Sequence, residues 1–453
     1  MARSRGLLRE LRTLRPLHHV TDPRPTAWLW RAAYRLLLWL IFPFLWFRLW
    51  WRGRRTPGQR DRWAERLGWC EPPRESGGIW LHAVSVGEVN TAALLVRELQ
   101  RRGVSAFITL TTTTVTGRER GTALLGDAVH HVHAPYDYPS AIARFLGHVR
   151  PRLAIFVETE LWPNTLDACH ALDIPTLLAN ARLSARSARG YGRLGNFGIR
   201  VLLSLDAIAC QFDATAQRFR ELGVNPARLN VTGSMKFDFT PALTLGDASR
   251  ATWSFADRPV WIAGSTHAGE ERVVLDAHRR VLGAVPNCLL ILVPRHPERA
   301  VDLSGSALRV VLRSGGIAPK LDTQVFIGDV MGELLLLYSL AQVAFVGGSL
   351  IPRGGQNPIE PAALGLPVLM GPSDFNFTEV VAALASAGAL ERIASNDAKA
   401  MTTAVALSDA VLRLLANPGE RSRRGFAARA VVATHAGATK RVADLVETLL
   451  GKP

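Results

Sequence analysis

Short apolar runs alternate with helical segments from Gly77 onward, a pattern typical of β-α-β units with buried, parallel strands. The first series of predicted strands is Ile79–Val84, Ala106–Leu110, Leu153–Val157, Thr176–Leu178, Ala207–Cys210 and Leu229–Thr232. The second series is Val260–Ala263, Leu289–Val293, Leu308–Leu312, Gln324–Ile327, Val343–Val346 and Pro367–Leu369. A polar, irregular stretch over residues 237–258 separates the two series. We therefore expect an α/β fold with two doubly wound, Rossmann-like domains that face each other across a cleft.

The N-terminal segment has a different pattern, because Ala27 to Trp51 is almost continuously apolar and aromatic. It holds six of the 12 Trp residues and is interrupted by arginines. Its uninterrupted apolar core, Leu36 to Phe47, is 12 residues long, which is shorter than the ~18 of a clear membrane-spanning helix. No small-residue cleavage site follows, as a cleaved signal peptide would need. We expect a retained membrane-associating helix, either interfacial or a tilted span; the alternative is a buried helix of the globular domain.

The positive charge is concentrated in this same segment. The formal net charge is +16, and residues 1–60 account for +11 of it. The remaining +5 is small for a nucleic-acid-binding surface, so the charge indicates an anionic membrane surface and no nucleic acid. A membrane-bound nucleic-acid or scaffold protein is the non-enzyme alternative.

The cysteines and histidines do not have the spacing of a metal site or a disulfide framework. The four cysteines are far apart and form no Cys-x-x-Cys pair, which suits a reducing compartment. No His/Asp/Glu spacing suggests metal ligands, so we expect no metal.

Polar clusters follow the strands of the first series, where ligands of doubly wound sheets bind. Glu88 follows the first strand at a helix start; a carboxylate there is a candidate general base, or it only complements the helix dipole. Glu158 ends an apolar strand, so its burial needs a cation or hydrogen bonds. Lys236 is the only lysine in the first 319 residues, which suggests a required compact charge.

The second series also ends in polar clusters. Arg295 and His296 close its second predicted strand, and Gly332, Glu333 and Leu334 open a helix. In the stretch Asn357, Pro358, Ile359 and Glu360, we expect Asn357 to cap a helix and Pro358 to take its first position. Free backbone N–H groups there would hold a phosphate, and Glu360 would accept hydrogen bonds from ribose hydroxyls. Several such clusters on one sheet favour a nucleotide pocket.

Eight of these clusters resemble those of the bacterial 3-deoxy-D-manno-octulosonic acid (Kdo) transferases. They are SVGE (85–88), ETELWPN (158–164), NARLS (180–184), TGSMKFD (232–238), PRHPER (294–299), GDVMGEL (328–334), RGGQNPIEP (353–361) and GPSDFNF (371–377). The match covers roughly residues 30–450 in order. One departure is Gln356, where the family pattern has His. The resemblance implies the two-domain GT-B fold and transfer of Kdo from CMP-Kdo to the lipid A precursor lipid IVA, with inversion, in lipopolysaccharide biosynthesis.

The resemblance also implies roles for individual residues. Glu88 matches the family's general base, and Glu158 and Lys236 match its residues that stabilise the transition state. The residues that match its CMP-binding positions are Arg295, His296, Gly332, Glu333, Leu334, Asn357, Pro358, Ile359 and Glu360. Arg182 is a further candidate, as a partner of the Kdo carboxylate. CMP-Kdo is a substrate, so no cofactor is expected.

The domain plan combines the pattern with the resemblance. Its segments are a membrane anchor at 1–60, an acceptor-binding domain at 61–240, a linker at 241–258, a CMP-sugar-binding domain at 259–430 and a C-terminal helix at 431–453. The expected location is the cytoplasmic face of the bacterial inner membrane. Another GT-B nucleotide-sugar transferase or an epimerase is the alternative enzyme.

Overall fold

The computed structural model describes residues 26–55, 62–238, 258–305, 308–394 and 400–451. The chain divides into two compact units, the first of Met1–Asp238 with Gly437–Pro453 and the second of Phe239–Ala436. The predicted linker at 241–258 lies outside the described residues except for its last residue. Residues 1–25 and 56–60 of the predicted anchor also lie outside them.

Unit 1 is built around a parallel sheet that has seven strands within the described residues, in the order β3-β2-β1-β4-β5-β6-β7. The strands are β1 Ile79–His82, β2 Ile108–Thr112, β3 His130–His133, β4 Leu153–Val157, β5 Thr176–Ala181, β6 Ala207–Cys210 and β7 Leu229–Val231. The helices are α1 Thr26–Arg55, α2 Trp63–Arg66, α3 Val86–Arg101, α4 Val115–Leu125, α5 Pro139–Val149, α6 Pro163–Ala171, α7 Ala185–Arg193, α8 Gly195–Leu203 and α9 Asp213–Glu221.

Unit 2 repeats this architecture, with seven parallel strands in the part of the chain described, in the order β10-β11-β9-β8-β12-β13-β14. The strands are β8 Val260–Thr266, β9 Leu289–Pro294, β10 Val310–Leu312, β11 Val325–Ile327, β12 Val343–Val346, β13 Val368–Met370 and β14 Leu390–Arg392. The helices are α10 Glu270–Ala284, α11 Ala300–Ser304, α12 Leu334–Ser339, α13 Ile359–Ala363, α14 Thr378–Ser386, α15 Ala400–Ala416 and α16 Pro418–His435; the last helix, α17 Ala438–Leu450, belongs to unit 1.

The predicted α/β class is confirmed, and each predicted strand corresponds to an observed one. The central strands form because their apolar side chains are buried on both faces; all five residues of β4 are buried, for example. Two edge strands, β3 and β14, were not predicted. Their sequences, HHVH and LER, contain too few apolar residues to be recognised.

Each sheet has a point where the chain changes direction across the sheet, and loops from adjacent strands meet there. In unit 1, β1 pairs with β2 on one side and with β4 on the other. In unit 2, β8 lies between β9 and β12 in the same way. The loops after β1 and β4, and after β8 and β12, are therefore the places where the folds favour ligand binding.

Helix α1 has two different faces. An α-helix turns by about 100° per residue, so the position of each side chain around the helix axis follows from its number. Six apolar side chains that are 49 to 70% exposed fall within one arc of about 100° around α1. These are Leu36, Leu37, Leu40, Phe44, Phe47 and Trp51. No helix of the described residues is long and apolar enough to cross a membrane. The surface formed by these six side chains is called the apolar strip below.

The opposite face of α1 packs on unit 1 through polar groups. The Tyr34 hydroxyl donates to the Asp137 carboxylate at 2.9 Å, and Arg35 Nε donates to Asn164 Oδ1 at 3.2 Å. The Tyr138 hydroxyl donates to the Leu38 carbonyl at 2.6 Å. Asp137 also accepts the N–H groups of Asn164 and Thr165 at the start of α6. The helix is thus joined to the segment that precedes α5 and to the first turn of α6.

The C-terminal segment differs from the single helix predicted over 431–453. Helix α16 ends at His435 and α17 begins at Ala438, because Gly437 takes a left-handed conformation with φ of 87°. Asp238, the last residue of unit 1 before the chain enters unit 2, accepts the N–H groups of Gly437 and Thr439. Asp238 therefore caps α17 at the point where the chain returns to unit 1.

Candidate active site

Glu88 lies in the first turn of α3, directly after β1. The Ser85 hydroxyl donates to Glu88 Oε1 and the Val84 N–H donates to Oε2, each at 2.8 Å. Ser85 Oγ also accepts the Glu88 N–H at 3.4 Å, so Ser85 caps the start of α3 and its side chain is paired with that of Glu88. Glu88 therefore does lie at the helix start, where its charge complements the helix dipole, which is the structural role that the sequence left open. The same hydrogen bonds also fix the position of its carboxylate.

The surroundings of Glu88 raise the pKa of its carboxyl group to about 7. Burial is the largest cause, and the negative charges of Glu158 and Glu160 raise the pKa further. The hydrogen bonds from Val84 and Ser85 favour the ionised form and oppose this shift. A carboxylate with a pKa near neutrality is suited to accept a proton in the transition state.

Glu158 and Lys236 form an ion pair beside this group. Lys236 Nζ lies 2.6 Å from Glu158 Oε1, and the side chains are 20% and 17% exposed. Glu158 has φ of 64°, a left-handed conformation that turns the chain sharply at the end of β4. The cation that the burial of Glu158 requires is thus Lys236, from the turn after β7.

A side chain of the neighbouring strand holds the turn that carries Lys236. Asn180 Oδ1, at the end of β5, accepts the Met235 N–H at 2.9 Å. Asn180 itself has φ of 54°, and its carbonyl accepts a hydrogen bond from the Gln211 side chain. The NARLS motif that contains Asn180 therefore positions the lysine. Arg182, two residues later, is half-buried in this loop.

Glu160 is a third carboxylate of this cluster that was not among the predicted site residues. It accepts the Trp162 indole N–H at 3.1 Å, and burial followed by the charge of Glu158 raises its pKa. The sequence signal that could have identified it is its position two residues after Glu158, which on an extended chain places both carboxylates on the same side. The cluster of Glu88, Glu158, Glu160 and Lys236 is called the acidic cluster below.

In unit 2, a buried carboxylate holds the loops at the ends of β8 and β12. The side chain of Glu270 accepts the N–H groups of Gly348 at 2.6 Å and of His267, Ser349 and Leu350 at 2.9 Å each. Glu270 is fully buried. Three successive N–H groups after β12 thus bind an internal carboxylate.

The predicted phosphate-binding residues lie around these loops. The Arg295 N–H donates to the Thr266 carbonyl at 2.8 Å, which joins the ends of β8 and β9. The rings of His267 and His296 are 5.9 Å apart. Burial, and then the nearby His296 and arginines, lower the pKa of His267. Gln356 Nε2 lies 3.0 Å from His267 Nε2, so this departure from the family pattern has a partner in the same site.

The stretch from Asn357 to Glu360 differs in detail from the prediction. Helix α13 begins at Ile359, so Pro358 lies just before its first residue. Asn357 Oδ1 accepts the Ile359 N–H at 3.1 Å, and Asn357 Nδ2 donates to Glu360 Oε1 at 3.2 Å. Asn357 therefore caps the helix as expected, but the helix begins one residue later than predicted, and the cap takes up one of the N–H groups that were expected to bind phosphate.

The stretch Gly332–Leu334 opens α12, which packs against α13. Gly332 has φ of 90°, which only glycine adopts easily. The Glu333 carboxylate pairs with Arg313 through two contacts of 3.0 Å. The Glu333 carboxylate is therefore already neutralised by an arginine.

Among the residues that the structure describes, no three His, Cys, Asp or Glu side chains are grouped so that they could hold a metal ion. Metal-independent chemistry stays a prediction.

The Glu270 contacts generate a stability prediction. In Glu270→Gln, one oxygen becomes an NH2 group that faces N–H donors, and each unsatisfied buried N–H costs about 1–3 kcal/mol. We expect a lower free energy of unfolding and weaker binding of CMP, measured by urea denaturation and calorimetry. The control is Glu271→Gln, the buried neighbour whose partner is Arg299. Equal behaviour of the two variants would contradict the anchoring role of Glu270.

Solved structures with low sequence identity share the two-unit fold. A UDP-GlcNAc 2-epimerase from Neisseria meningitidis aligns with a TM-score of 0.58 at 14% identity, covering 82% of this chain and 99% of that one. A glycosyltransferase of kitacinnamycin aligns with a TM-score of 0.54 at 17% identity, covering 83% and 100%. These likenesses confirm the GT-B fold expected from the sequence.

Sequence comparisons identify the family. The family model described as 3-Deoxy-D-manno-octulosonic-acid transferase (kdotransferase) matches residues 61–239. The 3-deoxy-D-manno-octulosonic acid transferase of Haemophilus influenzae is 41% identical over 434 residues, covering 93% of this chain and 99% of that protein. The transferase of the same description from Bordetella pertussis is 39% identical over 445 residues, covering 93% and 100%. The resemblance seen in the motifs is confirmed, and the chain belongs to the Kdo transferase family.

Proposed function

We propose that this enzyme transfers Kdo from CMP-Kdo to lipid IVA with inversion at the transferred sugar. The observation that carries the proposal is the position of Glu88 at the switch point of unit 1, with its pKa near 7 and the Glu158–Lys236 pair beside it. A general base with a neighbouring cation is what attack by a sugar hydroxyl requires.

The reaction is a single displacement. The acceptor hydroxyl oxygen attacks C2 of Kdo on the face opposite the phosphate, and its proton passes to the Glu88 carboxylate. The bond between C2 and the phosphate oxygen breaks, and its electron pair leaves with CMP. The charge of Lys236 would stabilise the negative charge on the sugar carboxylate or the departing phosphate, with Glu158 holding its ammonium in place.

The donor nucleotide is assigned to unit 2. Arg295 supplies positive charge for its phosphate, Arg295 and His296 supply hydrogen-bond donors, and Glu360 accepts hydrogen bonds from the ribose. Because Glu270 fills the nest of N–H groups after β12, the phosphate must use these side chains and the remaining backbone of the Asn357–Glu360 stretch.

A direct assay tests the proposal. Purified protein is incubated with CMP-Kdo and lipid IVA, and the lipid is weighed by mass spectrometry. We expect a mass increase of one or more Kdo residues, and loss of ~10²–10⁴-fold in rate for Glu88→Gln with CMP binding retained. Unchanged lipid mass with wild-type protein would overturn the proposed function, and near-normal activity of the variant would overturn the role of Glu88.

The pKa of Glu88 predicts the pH dependence. The base acts only when ionised, so kcat/KM should rise with pH through about 7 and then level off. In Ser85→Ala the ionised form loses a hydrogen bond, so the midpoint should move to higher pH. In Glu160→Gln a repelling negative charge is removed, so the midpoint should move to lower pH. If neither variant shifts the midpoint, or if both variants shift it in the same direction, a group other than Glu88 controls the pH profile.

We also propose that the enzyme binds the cytoplasmic face of an anionic membrane through the apolar strip of α1. The strip is exposed in the folded protein, and the N-terminal 60 residues hold most of the net positive charge. Apolar burial and arginines near acidic lipids both favour binding at the interface. The acceptor is an amphiphile, so this placement brings unit 1 close to its head group.

Matched surface variants test membrane binding. Leu40 and Phe44, 70% and 63% exposed, are both changed to Ser, and the control changes Leu321 and Phe426, 75% and 76% exposed, to Ser. Each apolar side chain contributes about 1.5–3 kcal/mol when buried. We expect the α1 variant to bind vesicles of phosphatidylglycerol and phosphatidylcholine at least about tenfold more weakly in sedimentation assays. Equal vesicle binding by the two double variants would show that the apolar strip is not the membrane-binding surface.

A further inference from the structure

Helix α7 carries three arginines on one exposed face. Arg186, Arg189 and Arg193 fall within an arc of about 60° and are all exposed. In the described part of the chain, these three side chains make no ion pair or hydrogen bond. The surface that they form is called the arginine face.

The chain segment that contains α7 carries no acidic residue. Residues 174–205 include five arginines and no Asp or Glu. An ordinary solvated helix face usually mixes charges of both signs, so three aligned arginines without an acid form a local positive surface. Such a surface attracts and binds anionic groups.

The other side of α7 fixes the location of the arginine face. Ala188 and Tyr191, on the opposite side of the helix, pack against the same hydrophobic cluster as Leu161 of the ETELWPN motif. Burial, and then the negative charge of Glu160, raises the pKa of Tyr191, so Glu160 lies close to this helix. Helix α7 packs on α8, and α8 contacts α1, which carries the apolar strip. The arginine face therefore belongs to the region of unit 1 that contains the acidic cluster and the lipid-facing helix.

We propose that Arg186, Arg189 and Arg193 bind the phosphate groups on the head group of the acceptor glycolipid. The proposal rests on the proposed function, because lipid IVA is a phosphorylated disaccharide with acyl chains. Guanidinium groups bind phosphate through paired, charge-assisted hydrogen bonds. Binding there draws an anionic head group to a region whose own carboxylates would otherwise repel it.

The test compares two triple variants with the same loss of charge. One carries Arg186→Gln, Arg189→Gln and Arg193→Gln. The control carries Arg74→Gln, Arg272→Gln and Arg280→Gln, which changes three exposed arginines elsewhere. Transfer is measured in neutral detergent micelles with two acceptors, lipid IVA and the same lipid after enzymatic removal of its phosphates.

We expect the α7 variant to have a KM for lipid IVA at least about tenfold higher than wild type, because exposed charge-assisted contacts are individually modest and here three are lost. Its kcat, its KM for CMP-Kdo and its activity on the phosphate-free acceptor should match wild type within about twofold. The control variant should behave as wild type throughout.

Three results would overturn the proposal. An unchanged KM for lipid IVA would exclude the arginine face as a phosphate site. Equal losses on both acceptors would show a structural role for these residues. If the α7 variant loses binding to phosphatidylglycerol vesicles in a sedimentation assay but keeps its KM for lipid IVA in micelles, the arginine face binds bulk membrane lipid instead. Absence of any transfer by wild-type protein would instead reject the proposed function.

Discussion

The loops that follow parallel strands can be ordered only if their backbone N–H groups find acceptors, because the sheet no longer pairs them. Side chains supply these acceptors at each part of the site. Glu270 accepts four N–H groups in unit 2, and Asp137 accepts those of Asn164 and Thr165 in unit 1. Asn180 accepts that of Met235. The groups proposed to do chemistry stand on loops that these buried side chains hold.

This arrangement constrains where an anionic substrate can bind. The nest after β12 would suit a phosphate by its geometry, but the Glu270 carboxylate occupies it and would repel a second anion. In unit 1 the acidic cluster has three carboxylates and one lysine, so an incoming anion is opposed there as well, except at Lys236. An anionic substrate would therefore need positive side chains outside these carboxylate groups, and we propose Arg295 in unit 2 and the arginines of α7 in unit 1.

The fold could be predicted from the sequence to the extent that burial is visible in composition. Strands such as β4 and β12 are continuous apolar runs, and their predicted and observed bounds agree. The edge strand β3, with three histidines in four residues, depends on pairing with β2 and not on its own pattern. The site residues at strand ends were predicted because polar clusters follow apolar runs. Their partners, such as Glu270 with Gly348 or Asn180 with Met235, are distant in sequence and have no local signal.

Helix α1 shows why the sequence pattern alone could not tell which face of this segment is exposed and which packs on the rest of unit 1. Both of its faces contain large apolar or aromatic residues, so periodicity does not separate the exposed arc from the docked one. Only the structure shows that Tyr34 donates to Asp137, a buried carboxylate that also caps α6. Burial raises the pKa of Asp137, and each hydrogen bond that it accepts opposes this shift. Removing α1 would remove one of these bonds from Asp137, whose other hydrogen bonds hold the start of α6, directly after the loop that contains Glu158 and Glu160. Helix α1 is therefore an integral part of unit 1, because its docked face completes the hydrogen bonding of Asp137, which orders the start of α6.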